Sequence, residues 1–211
     1  KIAIPKEQVE EMLEHPGNPA LLKTLIIRLL WETGIRCSEL CDIRIRDINR
    51  DKQTISINSG KISDPEHDLY TRPVTYSDTT DDLLTQWVDF GDRQAHCPHD
   101  VTDEDGNDAG KLLLTDQKPY CRPTWVSKVV KNSAKRAGLN EPLYVDGGDK
   151  TRWMITGHTL RHSHISYHVN VLDTPIMHVS NLAGHKQLST TQGYVSRDFE
   201  QTLEHGHKFH E

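Results

Sequence analysis

A mainly α-helical fold with one small antiparallel β-sheet (α+β), in a single domain over residues 1–211, is what the sequence predicts. Three observations lead there. Several stretches carry apolar residues at helical spacing, and two short runs near residues 54–57 and 72–75 alternate as half-buried strands do. No internal repeat and no Pro/Gly/Ser-rich linker divides the chain.

In order along the chain, Lys6 to Glu14 and Ala20 to Thr33 read as helices. The second shows a wide apolar stripe of Leu21, Leu22, Leu25, Ile26, Leu29 and Leu30, closed by Gly34. A short helix through Cys37 to Leu40 follows, then the strand Thr54-Ile55-Ser56-Ile57, a long polar turn from Asn58 to Tyr70 containing Lys61, and the strand Arg72-Pro73-Val74-Thr75. Asp81 to Phe90 reads as a helix, and Gly91 to Gly110 as an acidic loop. Pro123 opens a basic helix reaching about Ala137, with Gly138 as its stop. Gly147-Gly148 marks a turn. Helices are then expected from about His158 to Asn170, from Pro175 to Ala183 behind Thr174 as cap, and from Thr190 to Val195 behind Ser189. The stretch from Phe199 to His210 reads either as a last helix or as disorder.

Composition narrows the function classes. The mean hydropathy of −0.66 predicts a thin core and a heavily charged surface. No apolar run approaches the roughly 20 residues a bilayer requires, and Lys1-Ile2-Ala3-Ile4-Pro5 lacks the features of a signal peptide. Neither a membrane nor a secreted protein is expected. Cys37, Cys41, Cys97 and Cys121 are irregularly placed, as reduced thiols of a cytoplasmic protein would be. The net charge of −6 hides a segregated distribution. Gln117 to Asn140 holds six basic residues and no acid, whereas Asp81 to Asp108 holds nine acids and Arg93. One face therefore suits a polyanion while another repels it. An acid-rich surface of this kind also suits a salt-rich cytoplasm, and hence an archaeal host or virus.

The chemistry-bearing residues are individually unremarkable. His158 and Arg161 stand three apart, on one helix face, with Leu160 turned inward. His185 follows a helix in Leu182-Ala183-Gly184-His185, and Tyr194 stands nine residues later. Arg36 comes directly after the helix-ending Gly34 and Ile35. A surface helix, a turn and a tied-down tyrosine would each account for one of these alone.

Together they resemble the tyrosine recombinase (phage-type integrase) family. Its pattern is an arginine in a T-G-[LI]-R-x-S-E-L segment, a lysine on a β-hairpin, H-x-L-R-H, L-G-H, and a nucleophilic tyrosine about nine residues on. This chain has TGIRCSEL at 33–40, Gly60-Lys61 in the turn after a strand, HTLRH at 158–162, LAGH at 182–185 and Tyr194, in that order. The resemblance implies the catalytic-domain fold of that family and a site-specific recombinase that cuts and rejoins DNA through a 3′-phosphotyrosine intermediate.

The residue types fit that chemistry. Attack on a phosphodiester concentrates negative charge on the non-bridging oxygens, which planar guanidinium groups clamp through paired hydrogen bonds. Arg36 and Arg161 suit this role. A tyrosine hydroxyl with a pKa of about 10 needs a proton acceptor as it attacks, and the resemblance assigns that task to His158. It also implies that His185 donates to a non-bridging oxygen and that Lys61 protonates the departing 5′ oxygen. Exchange of one phosphoester for another requires neither ATP nor a cofactor, and the guanidiniums and ammonium supply the charge that metals supply in nucleases. The turn carrying Lys61 is longer and more acidic (Asp64, Glu66, Asp68) than the family's compact form, so a solvated surface lysine is the competing reading.

Phosphate contacts are expected from Lys128, Lys131 and Lys135, which share one face of the basic helix; Asn132 or Lys128 is a candidate for base contacts and Arg72 for the DNA backbone. His162 stands where the family often has histidine, and is a candidate support of the phosphate site. Zinc ligation by His96, Cys97, His99 and Cys121 matches no standard spacing. Asp103 to Leu114 fails as a calcium loop, with Asp108 in place of glycine and Leu114 in place of glutamate. The resemblance further implies double-stranded attachment sites as partners, a homotetramer on DNA, a monomer for the isolated domain, and an N-terminal core-binding domain that is absent from this chain. Two other activities use the same residues or retain only part of them: relaxation of supercoils by a type IB topoisomerase, and DNA binding by a catalytically silent regulator.

Overall fold

The computed structural model describes residues 2–58, 71–97, 110–184 and 188–195. Among these, α1 (Lys6–Glu14), α2 (Ala20–Thr33) and α3 (Cys37–Asp42) precede a three-stranded antiparallel sheet, β1 (Ile48–Asn49), β2 (Thr54–Asn58) and β3 (Thr71–Thr75), in that spatial order. Then come α4 (Asp78–Leu84), α5 (Asp92–His96), α6 (Pro123–Arg136), a hairpin of β4 (Pro142–Val145) and β5 (Thr151–Trp153), and α7 (Gly157–Asn170), α8 (Ile176–Ala183) and α9 (Leu188–Gln192). The architecture is the predicted one, mainly helical with small antiparallel sheets. None of the described helices is long and apolar enough to cross a membrane.

The molecule is organised around α2. Leu22, Leu25, Ile26, Ile27, Leu29 and Leu30 are all fully buried, more than one stripe of the helix, because α1, α4, α6 and α7 pack against it from several sides. Each such side chain contributes roughly 1.5–3 kcal/mol by leaving water. Ile55, Ile57 and Val74 close the sheet side of this core, and the buried face of α6 supplies Val126, Val129, Val130 and Ala134. A smaller cluster of Ile165, Val179, Ala183 and Tyr194 ties the last helices to α7. Between α3 and the approach to α6, Cys41 and Cys121 bring their sulfurs to 3.2 Å as free thiols.

Several boundaries differ from those expected. The helix predicted from Asp81 starts at Asp78, where the Ser77 hydroxyl accepts the Thr80 N–H, and its last part is a single wide π-helical turn over Thr85–Asp89. Within the expected acidic loop, α5 forms because Arg93 is fully buried and its Nε donates to the Lys111 carbonyl at 2.8 Å. Pro175, instead of Thr174, precedes α8; the Thr174 hydroxyl meets His168 Nδ1 at 3.2 Å. The final helix runs over Leu188–Gln192, which leaves Tyr194 in the turn beyond it. The β4–β5 hairpin spans the predicted Gly147-Gly148 turn, but its strands escape sequence patterning because all four residues of β4 are exposed. The stretch from Phe199 to His210 lies outside the described residues.

Candidate active site

Gly34 ends α2 in the left-handed conformation, at φ +62°, and a Cβ there would lie 2.3 Å from the His164 ring. The turn it allows places Arg36 immediately before α3. Glu39, one turn on, accepts the Arg36 backbone N–H at 2.7 Å and Arg36 Nη1 at 2.9 Å. The same carboxylate takes both ends of the Arg72 guanidinium, at 3.1 and 3.0 Å. Burial alone would raise the Glu39 carboxyl; the hydrogen bonds from Arg72 and Arg36 outweigh it and hold the group down at about 2.

Arg161 enters from α7, whose N-terminus is tied by reciprocal contacts of Thr156 and Thr159. It is 2% exposed, and its guanidinium donates to the carbonyls of Gly34 at 2.7 Å and Ala183 at 2.6 Å. Burial, with the nearby charge of Arg36, pulls it down to about 10, so it remains charged at neutral pH. Arg36 is the open member of the set: its side chain is 44% exposed, and Nη2 reaches the Gly184 carbonyl at 3.5 Å. Among the described residues, Arg36 and Arg72 pair with the one carboxylate of Glu39 while Arg161 is held by neutral carbonyls, so positive charge exceeds negative here.

Arg36, Arg161 and His158 line an open cleft of about 350 Å³, completed by Cys37, Ser38, Gly157 and the first turns of α6 at Pro123, Thr124 and Ser127. His158 is exposed at its edge. Behind it the His162 ring packs edge-on, with centroids 4.1 Å apart, and His162 Nδ1 hydrogen-bonds the hydroxyl of Tyr194. Tyr194 is 9% exposed, its carbonyl accepting from Asn170 Nδ2 at 3.0 Å. Burial raises its hydroxyl above the ordinary tyrosine value, with the charge of Arg161 opposing, so the group is protonated at neutral pH. The structure thus gathers Arg36, His158, Arg161 and Tyr194 from the residue capping α3, from α7 and from the turn after α9. Lys61 and His185 lie outside the described residues.

Arg72 does not stand where a DNA-backbone contact would need it. At 3% exposure it fills an inward position of β3, opposite Ile57 and two residues from the buried Val74, and its Nε donates to the Leu182 carbonyl at 2.9 Å. It fastens the sheet to Glu39 and to the end of α8. Gly184, at φ +64°, passes so close that a Cβ would lie 2.8 Å from this guanidinium. On α6, Lys128 and Lys135 are exposed while Lys131 and Asn132 are half-buried. The stripe begins at Lys128, one turn beyond the cleft-lining Thr124, and Lys131 follows one turn beyond Ser127, so it continues the cleft along the surface. At its far end the Lys135 ammonium lies 3.3 Å over the Trp153 ring of β5. Sequence reasoning missed Glu39 as the shared anchor of two arginines, although its i+3 spacing from Arg36 was visible.

Residues 3–201 match the phage integrase family. Among curated proteins, the chain is 29% identical over 199 residues to a probable integrase/recombinase protein of Methanocaldococcus jannaschii, covering 93% of this chain and 52% of that protein. It is 27% identical to the tyrosine recombinase XerA of Pyrococcus furiosus, covering 92% and 56%. The chain thus spans about half the length of these curated relatives. Among solved structures, the fold is similar to a XerH site-specific recombinase bound to difH substrate in a pre-cleavage complex, with a TM-score of 0.72 and 21% identity, over 100% of this chain and 55% of that one. It is also similar to the Tn1549 transposon integrase in complex with circular intermediate DNA, with a TM-score of 0.76 and 14% identity, over 99% and 67%. With the match running through nearly the whole chain, and with Arg36, His158 and Arg161 of its motifs lining one cleft and Tyr194 bonded to the neighbouring His162, the protein belongs to the phage integrase family.

Proposed function

We propose that this chain is the catalytic domain of a site-specific DNA recombinase that breaks and rejoins strands through a covalent 3′-phosphotyrosine at Tyr194. The observation that carries this reading is the surplus of guanidinium charge beside a buried, protonated tyrosine. Such a cluster is built to receive an anion, and the one open arginine, Arg36, shares the cleft with His158 and Arg161. Arg36 and Arg161 clamp the non-bridging oxygens of a scissile phosphate, and His158 adds a donor at the rim. The Tyr194 hydroxyl attacks phosphorus, and the 5′ oxygen departs. Lys61 as its acid and His185 as a further donor rest on the family resemblance. Lys128 and Lys131 hold the flanking backbone, and Asn132 and Lys135 extend that surface. Double-stranded attachment sites and assembly of four copies on two sites belong to the same proposal, as does chemistry without ATP, cofactor or metal.

The test mixes nicked attachment-site duplex with the protein in chelator and compares detergent-resistant adducts for the wild type and Tyr194→Phe. An adduct with the wild type alone is the expected result. Adducts that disappear with chelator, or that persist in Tyr194→Phe, contradict the proposal. Relaxation of supercoiled DNA without exchange between paired sites would replace recombination by topoisomerase activity on the same chemistry.

A further inference from the structure

The Tyr194 hydroxyl meets the Nδ1 atom of His162. His158 stands exposed at the rim of the cleft that Arg36 and Arg161 also line, on the side a phosphate would enter. His162 lies one helical turn further along α7, half-buried, with its ring against His158 on one side and against Tyr194 on the other, at centroid distances of 4.1 and 5.3 Å. An imidazole whose Nδ1 accepts from a phenol carries its own proton on Nε2, and is therefore already in the tautomer that can take a second one.

From this geometry we infer that His162 is the proton acceptor for the Tyr194 nucleophile, leaving His158 to bind a non-bridging phosphate oxygen. The inference rests on the strand-transfer reading above and divides the labour within that site. In cleavage the Tyr194 Oη–H bond breaks as Oη bonds to phosphorus, and the proton passes to His162 Nδ1. The bond from phosphorus to the 5′ oxygen breaks in the same displacement, and that oxygen takes a proton from the general acid, the role proposed for Lys61. In rejoining, the 5′-hydroxyl gives its proton back to that acid and attacks phosphorus, and the imidazolium of His162 returns its proton to the departing tyrosine. No electrons are exchanged with any external partner.

Two measurements test this. In the DNA-free chain, nitrogen-15 spectra of the histidine rings should show His162 as the Nε2–H tautomer, with an Nδ1 resonance that moves in Tyr194→Phe. An Nδ1 resonance unaffected by that substitution overturns the inference without any reference to catalysis. The second measurement is the single-turnover rate of adduct formation on nicked DNA. His162→Asn keeps an acceptor oxygen near the Nδ1 position but cannot take a proton, and it should slow the reaction about 100-fold or more. Replacing Tyr194 with a fluorinated, more acidic tyrosine should restore His162→Ala by about ten-fold or more, while leaving His158→Ala slow, since a nucleophile that ionises readily needs less help from a base. His162→Asn within about three-fold of the wild type, or fluorination restoring His158→Ala in place of His162→Ala, overturns it. A wild type that forms no adduct on DNA it demonstrably binds defeats the underlying strand-transfer reading, and this inference with it.

Discussion

Glu39 holds two guanidiniums that would otherwise repel one another, and Arg72 is nearly sealed from water. Glu39→Ala leaves Arg72 charged, buried and without this carboxylate, and should cost about 3–5 kcal/mol in urea unfolding, with Glu39→Gln costing less because an amide oxygen still accepts. His164 sets an opposite kind of constraint. It is almost completely buried, its Nδ1 contacts the Trp31 carbonyl at 2.8 Å, and burial followed by the proximity of His168 depresses it to about 3. The unfolded chain binds this proton near pH 6.5 and the folded chain does not, so stability falls as pH drops from about 6.5 towards 3. Unfolding free energies measured between pH 6.5 and 4 should show that fall, and His164→Gln should flatten it by up to about 1.4 kcal/mol per pH unit. Arg72 illustrates what was legible at single positions. Its parity with the inward Val74 was there to read in β3, but a charged residue in an apolar register reads as exposed until its partner, 33 residues earlier, is known. The approach of His162 to Tyr194 joins positions 32 apart through two intervening helices, and no local pattern announces it.

Secondary structure was most legible where one face had to be buried. The apolar spacing of α1 and α2 located both, and Pro123 and Gly138 bounded α6 to within about a residue, since tertiary burial selects the same periodicity that the sequence displays. The exposed strand β4 has no inward face to pattern, and the short helix α5 depends on a distant partner, the Lys111 carbonyl. The basic face of α6 gives a prediction of its own. Each lysine that neutralises a phosphate steepens the salt dependence of binding by about one unit of log Kd per log of salt. Lys128→Ala with Lys131→Ala should therefore lower the slope of log Kd against log salt by about 2, measured by fluorescence anisotropy on duplex DNA, and weaken binding alike on specific and unrelated sequences. Lys135→Ala should lower it less, because that ammonium already sits over the ring of Trp153.

Viewed as one body, the chain commits α2 to the core and spends the ends of α2, α3, α7 and α8 on the site. Carbonyls at two helix ends, Gly34 and Ala183, are what hold Arg161, so the register of the helices sets the position of the guanidinium. That coupling is why short motifs scattered over the sequence pointed to one chemistry before any contact was known: Arg36, His158 with Arg161, Ala183-Gly184 and Tyr194 stand at or just beyond helix ends, and the fold brings those ends together. The decisive measurement is the identity of the residue that carries DNA. Adduct trapped in chelator should be digested and its cross-linked peptide sequenced by mass spectrometry. The expected result is a nucleotide joined through its 3′-phosphate to Tyr194, with a free 5′-hydroxyl on the released strand. Linkage to any other residue, or a 5′-phosphate on the released strand, would contradict it.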